Sequence, residues 1–241
     1  MVRPWLGLSD DYALAFDAVL HLATALAVVT CFRSDIWSLI QVVFRKVGRL
    51  PVDKKDLNLV YALIIGTIPA VFFGLLFEDI MANNFRSPFL VAAVLVLGSL
   101  FFIYAERVYK GGRGQNQFTI KSGLKIGLWQ SLALIPGFSR AGATISGGMI
   151  LGFSRGQATK FAFLLAIPIM LGAGSKKLIE LMSTGLDIAW TPLLVGALTA
   201  FIVGLLAINF MLKFVRRHTF WPFIWYRIIL AGLVILIGLV A

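Results

Sequence analysis

Arg140 is the only charged residue in the apolar stretch from Ile126 to Gly152, and it stands within PGFSRAGATISGG, Pro136 to Gly148. Four hydroxyl residues, Ser131, Ser139, Thr144 and Ser146, share that stretch. Moving an arginine into hydrocarbon costs about 2.5 to 3.5 kcal/mol even on lenient insertion scales, so an intramembrane arginine marks a functional site by default. A guanidinium grips phosphate oxygens in bidentate fashion. Ser139, Arg140 and Thr144 fall where a helix would begin after Pro136 and Gly137, and there free backbone N–H groups and the helix dipole favour an anion. Gly137 and Gly142 allow the backbone to approach a ligand closely. The pattern predicts a phosphate cradle. The competing reading is that the glycines pack two helical arms together while Arg140 pairs with a carbonyl or carboxylate. A Walker A loop is excluded, because no lysine follows the glycines.

Other residues could serve the same site. Arg227, in FWPFIWYRIIL, is a second intramembrane arginine; it either snorkels to an interface beside Trp221, Trp225 and Tyr226 or joins the anion site. Asp17 and His21 are four apart and so share a helix face. They could bond each other and orient the imidazole for proton transfer, anchor the arginine segment, or only hold helices together. Gln130, where the polar run begins, is a supporting candidate. Gly147, Gly148 and Gly152 suit close packing, and Pro69 and Pro168 suit helix kinks. Cys31 is the only cysteine, which offers neither a disulfide nor a metal cluster.

The elements that carry these residues are membrane helices. With 59% hydrophobic and 14% charged residues, the chain reads as an all-α polytopic membrane protein along its whole length, one membrane domain over residues 1–241. The net charge of +11 is dispersed over short loops, which fits positive-inside topology rather than nucleic-acid binding. MVRPWLGLSDDY lacks the pattern of a signal peptide. Six apolar spans can be drawn, at 13–32, 57–77, 88–105, 161–180, 188–212 and 220–241. Between the third and fourth, residues 126–152 predict a re-entrant helical hairpin broken at PGFSRAG.

Loop charge orients the whole. With both ends outside, the inside loops 33–56, 106–125, 153–160 and 213–219 carry sixteen Lys and Arg against four outside. Three spans, a hairpin and three oppositely oriented spans suggest an inverted repeat, 1–106 and 107–241, whose first hairpin is missing from this chain.

The residues QSLALIPGFSRAGATISGGMILGFSR, Gln130 to Arg155, resemble the second signature of the bacterial undecaprenyl-diphosphate phosphatases, also called bacitracin-resistance proteins. FDAVLHLATALAVV, IPAVFFGLLFED, FAFLLAIPIMLGA and WYRIILAG extend the likeness over almost the whole chain. The resemblance implies hydrolysis of undecaprenyl diphosphate in the bacterial plasma membrane, at its outer side, recycling the carrier for cell-wall synthesis. It assigns diphosphate binding to Ser139, Arg140 and Thr144 and matches Arg227 to an arginine of the last span. The usual SRSGAT is SRAGAT here, with Ala141 in place of a serine. The resemblance also implies a divalent cation, magnesium or calcium, held by glutamates of a first signature, EGLTEFLPVSSTGH, with no counterpart here. MVRPWLGLSDDYALAFD aligns with the segment C-terminal to that signature, so Met1 reads as an internal methionine, and weak or absent turnover is expected of residues 1–241 alone. Expected partners are a polyprenyl diphosphate, the bilayer and a second copy in a homodimer.

In that reading Arg140, backbone N–H groups and Ser139 or Thr144 hold the diphosphate, since charge stabilisation and positioning dominate phosphoryl transfer. Ser139 reads as a binder rather than a nucleophile, as no base is placed to activate it. Two rivals stay open: an inverted-repeat lipid or anion transporter, and an inactive lipid-diphosphate-binding homologue.

Overall fold

Chains this apolar fold as helices because hydrocarbon leaves backbone N–H and C=O groups no partner but each other. The computed structural model describes residues 10–77, 87–109, 111, 117–183 and 190–240, and among them the regular structure is entirely helical. The helices are α1 (Asp10–Cys31), α2 (Arg33–Val47), α3 (Lys54–Leu76), α4 (Pro88–Val108), α5 (Ile120–Ser131), α6 (Arg140–Ile150), α7 (Arg155–Ser183), α8 (Trp190–Phe214) and α9 (Trp221–Val240). A short 3₁₀ turn, Leu132–Leu134, comes directly after α5. Five helices are long and apolar enough to cross a membrane, and six if α1 and α2, bent by 78° at their junction, are counted together. The protein is therefore a multi-pass membrane protein.

Over their described residues the six expected spans fall largely on α1, α3, α4, α7, α8 and α9, and two expectations are corrected. Residues 33–56 are not a plain loop, because Arg33–Val47 is helical. The hairpin begins at Ile120 rather than Ile126: Thr119 caps α5, its Oγ1 accepting from the Ser122 N–H while Ser122 Oγ accepts from the Thr119 N–H. That cap overrides a span boundary drawn from hydropathy alone.

Contacts divide the chain into two units. The first comprises residues 1–36 and 166–211. In it small residues seat large ones: Gly174 faces Leu22, Gly196 faces Phe16, and Leu193 is buried against Phe16, Val19 and Leu178. The second comprises residues 37–165 and 212–241, and it holds the hairpin. Each unit draws on both halves of the sequence.

Within the second unit, the hairpin's first arm lies directly on α3. A Cβ at Gly123 would overlap the Ala62 backbone, and one at Gly127 would overlap the Gly66 backbone. Ala62 and Gly66, like Gly123 and Gly127, are four apart, so one small stripe on each helix permits backbone-to-backbone approach. The two helices run parallel. Farther along the same register, Gly74 meets Leu134.

Aromatic rings fix the hairpin's feet. Phe118, just before α5, stacks between Phe153, just after α6, at 4.1 Å and Phe161 of α7 at 4.3 Å. The arms close on each other where Gly147 receives the Trp129 side chain, and Gly148 packs on Ala158. Gly152 plays a different part from the packing expected of it. At φ +91° it ends α6 in a left-handed turn, with the Phe153 N–H bonded to the Gly148 carbonyl.

Candidate functional site

The hairpin tip is built from a helix start that the sequence forces. Pro136 and Gly137, the latter at φ +100°, end the 3₁₀ turn, and Ser139 then caps α6 by accepting the Gly142 N–H at 3.3 Å. Ser139 sits at φ +79°, a conformation that costs a non-glycine residue about 1 to 3 kcal/mol and that concentrates at functional sites. Arg140 is the first residue of α6. Its side chain is half-buried and has no hydrogen bond or ion pair among the described residues. The N–H groups of Arg140 and Ala141 likewise have no acceptor there. A cationic fork and two open donors thus meet at the positive end of a helix dipole.

The other arginine is used differently. Arg227 is 7% exposed, so it does not snorkel to an interface. Its Nε donates to Ser99 Oγ at 3.3 Å, and its Nη2 donates to the Leu95 carbonyl at 3.1 Å and the Gly137 carbonyl at 2.9 Å. The guanidinium also lies over the Phe102 ring, 4.9 Å from its centre. Gly98 admits this group: a Cβ there would stand 2.5 Å from Nη2. Arg227 therefore braces the tip against α4.

The remaining expected residues take up distinct places. Thr144 is 1% exposed, and its hydroxyl donates to the Arg140 carbonyl at 2.8 Å, which holds the first turn of α6. Gly142 faces the Phe102 ring, which fills the space a side chain would need. Gln130 is 2% exposed, and neither end of its amide has a partner among the described residues. Asp17 and His21 lie in the other unit, where His21 Nδ1 meets the Asp17 carbonyl at 2.9 Å. Among the described residues, no three His, Cys, Asp or Glu side chains gather to hold a metal ion.

A second polar knot escaped sequence reasoning. Glu106, its side chain 4% exposed, accepts from Arg155 Nε at 3.1 Å and Nη2 at 2.5 Å, and from the Phe220 N–H at 2.7 Å. The Arg155 guanidinium also lies 4.1 Å from the Tyr109 ring centre. Glu106 and Arg155 are 49 residues apart, which no local pattern could pair.

Comparison with known proteins bears on this geometry. Residues 1–233 match the family described as Bacitracin resistance protein BacA. An undecaprenyl-diphosphatase of Corynebacterium striatum is 42% identical over 233 residues, covering 95% of this chain and 83% of that protein. One from Moorella thermoacetica is 39% identical over 235 residues, 98% of this chain and 87% of its own length. A third, from Elusimicrobium minutum, is 37% identical over 239 residues, covering 99% and 89%.

Proposed function

The chain belongs to the bacitracin resistance protein BacA family, and from that membership we infer that its reaction is hydrolysis of undecaprenyl diphosphate to undecaprenyl phosphate and inorganic phosphate. It is a membrane hydrolase of a phosphoric anhydride, whose turnover recycles the lipid carrier of cell-wall synthesis and underlies bacitracin resistance.

One observation supports placing the diphosphate at the hairpin tip. Of the two intramembrane arginines there, Arg227 commits Nε and Nη2 to protein oxygens, whereas the Arg140 side chain has no such partner among the described residues. A half-buried guanidinium without an anion is costly, so its place at a helix start calls for a ligand carrying negative charge. Arg140 and the N–H groups of Arg140 and Ala141 bind the non-bridging oxygens of the terminal phosphate. Gly137 and Ser139 set the curvature of the tip. Thr144 steadies the Arg140 carbonyl, and Arg227 keeps the loop in register.

Water attacks the terminal phosphorus in line as the bridging P–O bond breaks. Undecaprenyl phosphate leaves with that bond's electron pair, and one proton of the water is released. The charge that develops on the phosphoryl oxygens is what Arg140 stabilises. Ser139 Oγ is bonded to the Gly142 N–H and to no described carboxylate or imidazole, which supports a binding role over a nucleophilic one. A divalent cation would add further neutralisation, but the described residues offer it no ligand set. The sixteen-to-four bias of basic residues supports an orientation in the bacterial plasma membrane with both ends outside and the hairpin entering from the inner side, and the family resemblance implies that the site opens on the outer side.

Phosphate release from undecaprenyl diphosphate by the purified protein tests this reading. The expected result is turnover, weak for residues 1–241 alone, that Arg140→Ala abolishes in a folded protein. Lipid movement without phosphate release would overturn it.

A further inference from the structure

We propose that α2 lies in the headgroup layer of an anionic phospholipid leaflet, with its apolar face among the acyl chains and Arg45, Lys46 and Arg49 on the lipid phosphates. The inference stands apart from the diphosphate chemistry, because it concerns a helix on which the catalytic reading makes no demand.

Geometry comes first. α1, with 22 residues, is about 33 Å long at 1.5 Å per residue, as long as the hydrocarbon core is thick. The chain bends by 78° between α1 and α2, which directs α2 along the membrane surface rather than through it. Sequence agrees with that placement. Ile36, Trp37, Ile40, Val43, Phe44 and Val47 recur at helical spacing along one face, and Ser34, Ser38, Gln41 and Arg45 lie opposite.

Among the described residues, nothing buries this face. No residue of α2 is buried, and Trp37, Phe44 and Val47 are 62%, 69% and 77% exposed. Leu50, just beyond the helix, is 58% exposed as well. Arg49, at φ +55°, ends the helix: its N–H bonds the Lys46 carbonyl and the Leu50 N–H bonds the Arg45 carbonyl.

Charge selects the occupant. Residues 33–56 contain six basic residues and three acidic ones, Asp35, Asp53 and Asp56. Asp53 is engaged in capping α3, accepting the Lys55 N–H at 2.8 Å. An apolar strip edged by surplus positive charge and continuous with spanning helices fits an anionic leaflet. A second copy of this face would bring the same positive charge against itself.

The test uses the chain's single native cysteine. In full-length Cys31→Ser protein reconstituted in vesicles, nitroxide labels are placed one at a time through Trp37→Cys, Ser38→Cys, Ile40→Cys, Gln41→Cys, Phe44→Cys and Val47→Cys. Labels at 37, 40, 44 and 47 are expected to collide with oxygen, and those at 38 and 41 with an aqueous nickel complex. In phosphatidylglycerol vesicles the label at 44 sits deeper than in phosphatidylcholine, and adding Arg45→Glu, Lys46→Glu and Arg49→Glu erases that difference. A label introduced by Leu198→Cys, a position 61% exposed on α8, reports insertion in every preparation. Equal accessibility on both faces, depth independent of lipid charge, or spin–spin broadening between copies would overturn the proposal.

Discussion

Arg227 Nη2 donates a 2.9 Å hydrogen bond to the Gly137 carbonyl, 90 residues earlier in the chain, and so ties the last helix to the tip of the hairpin. The same nitrogen holds the Leu95 carbonyl, and Nε reaches Ser99. Three bonds from one buried cation leave it little freedom to follow a substrate. Its part is to position.

Removing that brace should therefore cost stability before anything else. Arg227→Ala leaves the Gly137 carbonyl without this donor and removes the bonds to Ser99 and Leu95, although Ser99 Oγ still donates to the Leu95 carbonyl at 2.8 Å; a hydrogen bond to a charged group contributes about 1.5 to 3 kcal/mol. We expect a loss of about 3 kcal/mol, read as a lower unfolding midpoint in detergent, together with reduced turnover. Arg227→Lys keeps the charge but cannot reproduce the planar fork, so it should recover only part of either. An unchanged midpoint for Arg227→Ala would remove the bracing role.

Arg140 should behave in the opposite way. Its guanidinium has no partner among the described residues, so Arg140→Gln removes an uncompensated charge and should leave the midpoint unchanged or slightly raised. Turnover should fall by about 100-fold or more, as when one preorganised donor to a developing charge is lost. Phosphate-release assays beside thermal unfolding separate the two arginines. Equal effects on stability would dissolve the distinction.

Legibility in the sequence tracked the range of the forces involved. The six spans and the broken hairpin could be read because hydropathy and the Pro136–Gly137 break are local signals. Arg140 stands out in the sequence because a lone charge in apolar surroundings needs a reason. Long-range pairings could not be read: the bonds from Arg227 to Ser99, Leu95 and Gly137 depend on how α9 meets α4 and the tip. The bond that the Thr144 hydroxyl makes was not legible either, although a helical threonine readily bonds back to the carbonyl four residues earlier. α2 was hidden by its charges, which lowered hydropathy over a segment whose apolar residues nevertheless keep a helical period. Gly123 and Gly127 carried a readable spacing, but their partners Ala62 and Gly66 lie about 60 residues away.

The knot at Glu106 yields a stability prediction independent of the site. Glu106→Ala strands the Arg155 guanidinium and the Phe220 N–H together, and breaking a buried ion pair from one side costs about 3 to 5 kcal/mol. Because the Arg155 side chain is 21% exposed, water recovers part of this, and a loss of about 3 kcal/mol is expected. Glu106→Gln keeps an acceptor for Phe220 and should cost less. Thermal unfolding of both variants checks the order, and a Glu106→Ala protein as stable as the parent would show that the knot contributes nothing.

The parallel seam between α3 and α5 makes the sharpest demand on a single methyl group. Gly127→Ala places a Cβ into the Gly66 backbone, and backbone cannot rotate aside as a side chain can. The arm must move outward, at an overpacking cost of about 1 to 3 kcal/mol. Because α5 leads directly into the tip, the same shift should displace Arg140 and lower turnover. Gly232→Ala on α9 is the matched control: nothing lies within 4 Å of its added Cβ, and replacing a helical glycine there should stabilise by about 0.5 to 1 kcal/mol. Unfolding midpoints and phosphate release measured side by side give four numbers. If the two glycines responded alike in both, close backbone contact would not be what holds the hairpin in place.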